Sequence, residues 1–486
     1  MQRRFVLTLL TLSGLAACGT TPAPDAQAVL RQADMAMGGT ALKTLRFSGD
    51  GTGATFGQAF QPGMAWPRLN YSVLTRTVDY ENAALREDFG RSRGEPNGGG
   101  AVPLMGQGEA RATGLVRGDL AWNLAGTGGA PTPVAREQRA HDLWTTPHGV
   151  IKAAMRNGAT ATTRTEDGKT YTAISFTQPG VMSATAFIGA SGLVERIDSR
   201  LPHPVLGDTE VVTRFSDYRD VNGVKFPMRI RQSQGSYEVL DLTVKEVQPN
   251  AAVDIQVPDN VRTATERVAV EKAAEGVWFL AGGSHNSVAI EMKDHLILVE
   301  SPLYDGRAAA VLAEAKKLAP GKPVRYVVNS HHHFDHAGGL RAAVAEGATL
   351  VTSSMAKPYF ERVFTNPNRV APDLMAKSGR TPTIIGVNSK QTFTDGTRTV
   401  EVHEMDGSIH AVGFMMVYLP QEKILIQADA YTPPAPGTPP PPVPNANSVN
   451  LVQNMERRSM AVDRLLPLHG RIVPVGELYA FIGRKP

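Results

Sequence analysis

The chain holds a single cysteine, Cys18, in 486 residues. A lone thiol cannot close an internal disulfide, and it cannot supply a cysteine-rich metal site. Charge of one sign is equally scarce. The formal net charge is +4, no basic cluster stands out, and nothing in that balance points to a nucleic-acid partner. The apolar run at 5–15 is too short to cross a bilayer as a stable helix. No internal repeat of fixed period is visible. What remains is ordinary for folded protein: 42% hydrophobic and 20% charged residues exclude wholesale disorder. A chain of this length leads one to expect two to four domains.

Histidine is the residue that is unevenly spread. Of the 12 histidines, only His141, His148 and His203 precede residue 263, so the metal-capable chemistry is concentrated in the second half. Residues 331–336 read His-His-His-Phe-Asp-His, which contains the pattern His-x-His-x-Asp-His. The β-branched run at 324–328 predicts a buried strand just before it, and 340–346 predicts a helix just after it. The cluster therefore falls on a strand-to-helix loop, where α/β folds place their sites. In extended backbone residues i and i+2 point the same way, so His331 and His333 can grip one ion from one side. As the chain turns into the helix, Asp335 and His336 are redirected toward a second ion.

This motif resembles that of the metallo-β-lactamase superfamily, and so do its flanks. Segments 276–280, 286–290 and 296–300 resemble that fold's opening strands. Downstream, His410 precedes a strand-like run at 414–420, and a second run at 423–427 delivers Asp429. His469 follows one more apolar stretch. The resemblance implies an αββα sandwich within an α+β chain. It also implies a ligand order of His331, His333, Asp335, His336, His410, Asp429 and His469. Two features depart from the family wording. The residues around His410 lack the usual Gly-His-Thr-x-Gly-His, which leaves His403, seven residues earlier, as a competing candidate. A Pro-rich insert at 433–444, with eight prolines in 12 residues, follows Asp429 and is expected to overhang the site as a semi-rigid polyproline loop.

Other residues receive weaker readings. His332 alternates away from its neighbours and should face the protein. His285 and His295 are expected to be structural or exposed, and His403 to be a plain surface histidine. Tyr431 is read as packing more than as a contact to substrate.

At the start, Arg3 and Arg4 precede the apolar run, which ends in Leu15-Ala16-Ala17-Cys18. This resembles the bacterial lipoprotein cleavage box, so 1–18 is expected to be a signal peptide and Cys18 the lipidated residue. With Gly19 next, the resemblance implies the periplasmic face of an outer membrane. Lipidation consumes the only thiol, which leaves any zinc site to histidine and carboxylate. Residues 19–28 are expected to be a flexible tether, with a helix from Ala28 to Met37 after it. From there to about residue 250 many short strand-like runs alternate with turns, and Gly-rich stretches at 94–100 and 126–129 read as loops. Asp220-Val221-Asn222-Gly223 is a hairpin signal. The wording at 215–227 resembles the half-barrel domains of bacterial lipoprotein carriers, which wrap a sheet around an apolar ligand. The expected order is thus a mainly antiparallel β domain at 29–250, a linker at 251–262 and the sandwich at 263–486.

All seven ligands lie in that last segment. They are enough for two zinc ions, with iron or manganese as alternatives. Such a pair implies hydrolysis of an ester, lactone, thioester or related bond in a small-molecule substrate by a metal-activated hydroxide, with Asp335 orienting the nucleophile and relaying a proton. An aspartate at 429 resembles the glyoxalase II and lactonase branches more than true β-lactamases. Three readings stay open beside it: β-lactam hydrolysis, an iron-dependent oxygenase on the same fold, and a non-catalytic lipid- or lipoprotein-binding protein.

Overall fold

The computed structural model describes residues 24–95, 99–100, 108–126 and 128–485. The expected signal peptide with Cys18, and residues 19–23 of the expected tether, lie outside the described residues, as does part of the 94–100 stretch. The first helix is Ala26–Ala36, and it begins inside the expected tether because Asp25 caps it, accepting a hydrogen bond from the Gln27 amide. Among the described residues no helix is long and apolar enough to cross a membrane.

Thirteen strands build one sheet. They are β1 (Thr44–Ala54), β2 (Arg68–Asp79), β3 (Ala84–Arg93), β4 (Ala110–Arg117), β5 (Leu120–Ala125), β6 (Gly128–Pro131), β7 (Thr160–Glu166), β8 (Lys169–Gln178), β9 (Met182–Ile188), β10 (Val194–His203), β11 (Gly207–Val221), β12 (Val224–Gln234) and β13 (Tyr237–Pro249). Their order is β6-β5-β4-β3-β2-β1-β13-β12-β11-β10-β9-β8-β7. The sheet is two meanders joined where β1 pairs with β13 in antiparallel register, Leu45 opposite Pro249. The predicted hairpin is present: Val221 faces Val224, and Asn222 and Gly223 both have positive φ (53° and 81°), as a two-residue type I′ turn requires. The 126–129 stretch is not wholly a loop, since β6 starts at Gly128 and pairs with β5.

The sheet curls. The helix Arg136–Trp144 touches β3, β4 and β5 and also β10. In a flat sheet β3 and β10 would be about 29 Å apart, at about 4.8 Å per strand, whereas a helix is only about 10 Å wide. The core inside the curl draws on the helices (Leu30, Leu143, Val150, Ile151) and on the strands (Phe47, Leu74, Ile197, Phe226, Leu242). The expected linker is ordered against this half, with Ile255 and Val261 packed on Trp122 and Leu115.

The C-terminal half is a sandwich of two sheets, one of seven strands and one of six. Leu296–Val299, Val324–Val328, Thr349–Ser353 and Ile384–Val387 run parallel to one another in the first. Short, wholly apolar strands such as Leu296–Val299 are buried on both faces, as a parallel sheet between layers demands. One core lies between the sheets and under the helices Ala446–Arg457 and Val475–Phe481, joining Phe279, Ile290 and Val328 to Val417, Leu425 and Leu451. Another lies beneath the helices Asp305–Leu318, Leu340–Ala345 and Lys357–Val363. The layers are therefore αββα, as the resemblance implied.

The two halves share that last core. Ala59, Trp66 and Val205 are buried in it beside Phe334, Leu340 and Phe360. Ala59 and Trp66 belong to residues 55–67, a strap that leaves the sheet after β1 and returns at β2. The Phe334 amide donates to the Gly57 carbonyl at 3.2 Å, and the Val412 amide to the Phe60 carbonyl at 2.8 Å. A second tie is made by Asp208, whose carboxylate accepts from the amides of Arg369 (2.8 Å) and Val370 (3.2 Å).

Candidate metal centre

The strand Val324–Val328 ends at the motif, and a short helix, Phe334–Ala337, turns Asp335 and His336 away from His331 and His333. His410 arrives on the loop before the strand Met415–Leu419, and that loop is tied to the motif by the Met415 amide donating to the Ser330 carbonyl at 2.8 Å. Asp429 lies just past the strand Ile424–Gln427, in a turn clamped by the Gln427 side chain. Its amide donates to the Tyr431 carbonyl (2.6 Å), and its carbonyl oxygen accepts from the Tyr431 amide (3.0 Å). The Tyr431 ring packs on Phe481, in keeping with a packing role.

These elements bring all seven predicted residues together. His331, His333 and His410 form one group: His331 Nε2 lies 2.9 Å from His333 Nδ1 and 3.2 Å from His410 Nε2. Asp335, His336 and His469 form a second, with 3.1 Å between the Nε2 atoms of His336 and His469. Asp429 stands between them. Its Oδ2 is 2.9 Å from His336 Nε2 and 3.4 Å from Nε2 of both His331 and His410, and its Oδ1 is 3.1 Å from His469 Nε2. Buried nitrogens that converge this closely suit a shared cation, since one proton can serve only one pair. Asp429 Oδ2 is buried and faces three imidazole nitrogens at once, which fits a carboxylate placed between two cation sites.

The outer nitrogen of four histidines is fixed by an oxygen, and this decides which nitrogen faces inward. His331 Nδ1 meets Ser330 Oγ at 2.9 Å, His336 Nδ1 meets Glu300 Oε2 at 2.9 Å, and His469 Nδ1 meets the Ser284 carbonyl at 3.0 Å. His333 Nε2 meets the carbonyl of Ala59, in the strap, at 2.9 Å. Burial first, and the neighbouring histidines second, hold His331 and His333 well below the usual imidazole range, so both stay neutral and ready to ligate. Burial opposes ionisation of Asp429, yet His336 and His410 outweigh it and keep the carboxyl well below its ordinary value. The same balance holds for Asp335, with His336 and His285 as the opposing groups.

Three contributors were not visible in the sequence. His285, expected to be structural or exposed, is buried in the second group, its Nε2 3.0 Å from Asp335 Oδ2, and burial lowers its pKa to about 4. Glu300 is fully buried at the end of the strand paired with Val324–Val328, where it also accepts the Ser330 amide. Gln58, 277 residues from the motif, donates to Asp335 Oδ1 at 2.8 Å. His332 faces the protein as expected, bonded to Ala59. His295 pairs with Asp294. His403 is buried, not on the surface, and is held by Glu401 in neither group. The Pro-rich insert packs beside His469, with Pro433 against Gly470 and the Pro434 carbonyl near Arg471.

Glu300→Gln is expected to weaken metal binding about 10–100-fold by loosening His336, with the fold retained. Chelator competition on the purified protein checks this, and an unchanged affinity would remove Glu300 from the centre.

A family model described as the metallo-beta-lactamase superfamily matches residues 280–469. A linear primary-alkylsulfatase from Pseudomonas sp. (strain ATCC 19151) is 25% identical over 226 residues, which is 38% of this chain and 41% of that protein. The chain thus spans well under half the length of this relative. Among solved structures, a metallo-beta-lactamase from Pontibacter korlensis is 20% identical, covering 45% of this chain and 98% of its own at a TM-score of 0.35. Another from Hirschia baltica is 19% identical, covering 45% and 99% at a TM-score of 0.33. The family match runs from the second strand of the sandwich to the last histidine of the cluster, so the part of the chain that gathers the seven metal-capable residues is the part similar to the metallo-β-lactamase superfamily.

Proposed function

We propose that the chain is a metal-dependent hydrolase with two zinc ions, one held by His331, His333 and His410 and the other by Asp335, His336 and His469, with Asp429 between them. The observation that carries this is the placement of Asp429, within 3.4 Å of histidines from both groups. Bound zinc supplies Lewis acidity toward the scissile carbonyl, sulfuryl or phosphoryl oxygen and lowers the pKa of water. The chain's own residues do the rest. His331, His333 and His410 are held neutral by burial, ready to ligate. Asp335, kept ionised and anchored by Gln58 and His285, is placed to accept a proton from the attacking water and return it to the leaving group. An ester, lactone or thioester is the favoured substrate class. The alkylsulfatase relative supports a second reading, hydrolysis of a sulfate ester. Metal analysis of the purified protein, with rates on neutral esters, lactones, thioesters, alkyl sulfates and β-lactams, tests both. Two zinc ions with turnover of none of these would overturn the hydrolase reading.

His410→Ala is expected to strip the first ion, whereas His403→Ala, which sits apart with Glu401, should leave metal content unchanged. The reverse result would reassign the ligand. For location, we infer a lipid-anchored protein of the cell envelope, in which residues 29–250 and 263–486 are two units joined by 251–262. Cys18→Ser should then move the protein from the membrane to the soluble fraction, and wild-type protein with an unmodified Cys18 would refute the anchor.

A further inference from the structure

A cavity of about 350 Å³ lies inside the curled sheet and reaches the metal centre. That volume is at the small end of the range for small-molecule sites. At one end it is closed by the strap and the motif, where Phe56 and Gln58 meet Phe334 and Asp335. From there it follows β2, lined in turn by Tyr71, Leu74 and Arg76. A register shift between Tyr71 and Val73 puts Tyr71 and Leu74 on the same side, although they are three residues apart. Tyr71 to Arg76 spans about 16 Å of strand.

The lining changes character along that length. Near Asp335 the walls are apolar and aromatic, with Phe56, Leu74, Val239, Leu240 and Phe334. At the other end stand Glu137 and the amides of Gln138, Gln232 and Gln234, whose NH2 groups are bonded to Asp142 (3.2 Å), Thr213 (3.2 Å) and the Gln138 side-chain oxygen (3.1 Å) respectively. The lining's one arginine, Arg76, is already bound to Glu87 (2.6 Å) and Asp142 (3.2 Å). His203 is kept neutral by burial. Among the described residues an anionic group therefore meets no free cation in this cavity and faces the carboxylates of Glu87, Glu137 and Asp142, while the side-chain oxygens of Gln232 and Gln234 remain to accept from a ligand.

We propose that this cavity holds the uncleaved part of the substrate, and that it rejects an anionic group and takes an organic group with an apolar stem and a hydrogen-bond donor at its far end. The inference rests on the hydrolase reading only for what happens at Asp335. Binding in the cavity stands apart from turnover. The N-terminal sheet is thereby part of the substrate site.

The test uses the zinc-loaded protein and two fluorescent probes that share a ring system: neutral N-phenyl-1-naphthylamine and its anionic relative 1-anilinonaphthalene-8-sulfonate. The neutral probe should bind at least tenfold more tightly. Ala54→Phe and Val239→Phe, both at half-buried lining positions, should each weaken it at least tenfold with zinc content unchanged. Should either variant fail to fold, competition on the wild-type protein decides: the neutral probe should raise KM for a neutral aryl ester without lowering kcat. Tighter binding of the sulfonate, unchanged probe affinity in both folded variants, or non-competitive inhibition would each overturn the proposal. Probe binding that meets these expectations in a protein with no hydrolytic activity would instead sink the hydrolase reading and leave the cavity's selectivity standing.

Discussion

Asp429→Ala is expected to cost at least about a thousandfold in hydrolysis and to lower zinc content from two ions toward one. Two divalent ions a few ångströms apart repel each other strongly, and the carboxylate between them offsets that repulsion. Among the described residues Asp429 is the one whose oxygens lie within 3.4 Å of histidines from both groups. Its removal leaves three buried imidazoles, His331, His336 and His410, and the half-buried His469 without a shared negative partner. The turn that carries it should persist, because Gln427 clamps that turn through the Tyr431 backbone and not through Asp429. Metal analysis, circular dichroism and initial rates on one preparation separate the outcomes. A variant that keeps two ions and ordinary rates would show that Asp429 does not bridge.

Removing residues 1–262 is expected to abolish stable metal binding, even though all seven ligands lie beyond the cut. Read from the sequence alone, the C-terminal half contains everything needed. The structure adds two contributions from the other half. The Ala59 carbonyl fixes the His333 ring so that Nδ1 faces the site, and Gln58 holds Asp335. Losing such an outer partner costs about 10–100-fold in metal affinity by itself. The cut also exposes the core that Ala59, Trp66 and Val205 complete, so the fragment should aggregate. Size-exclusion chromatography and chelator competition on the fragment check this. A monodisperse fragment holding two zinc ions at wild-type affinity would assign the strap no part in the centre.

The contrast shows what a sequence can disclose. His331, His333, Asp335 and His336 were legible because strand, loop and short helix set their directions within six residues. His410, Asp429 and His469 were legible only in order, through the family resemblance, since their convergence depends on how two sheets stack. Glu300 left a trace: Val299 pairs with Val328 in parallel register, so a charged residue ending one strand falls beside the start of the motif on the next. That trace becomes legible only once the parallel pairing of the two strands is known. His285 is 50 residues from its partner Asp335, and Gln58 is 277 residues from it. No local periodicity encodes contacts of that range. The hairpin at Asn222-Gly223, by contrast, was fixed by the conformational needs of two residues.

The junction of β1 with β13 has a consequence for the order of assembly. The strap begins where β1 ends, and β1 is held on one side by a strand encoded nearly two hundred residues later. Contacts of such sequence separation form late, because long loops must close before they are stabilised. The ring of His333 gains its outer hydrogen bond only once that closure is complete and the second half has docked. A half-folded chain thus presents the motif's histidines without the hydrogen bond that orients the His333 ring. Metal uptake becomes a report on completed folding, and a metal-starved population would be enriched in chains whose two meanders have not yet joined.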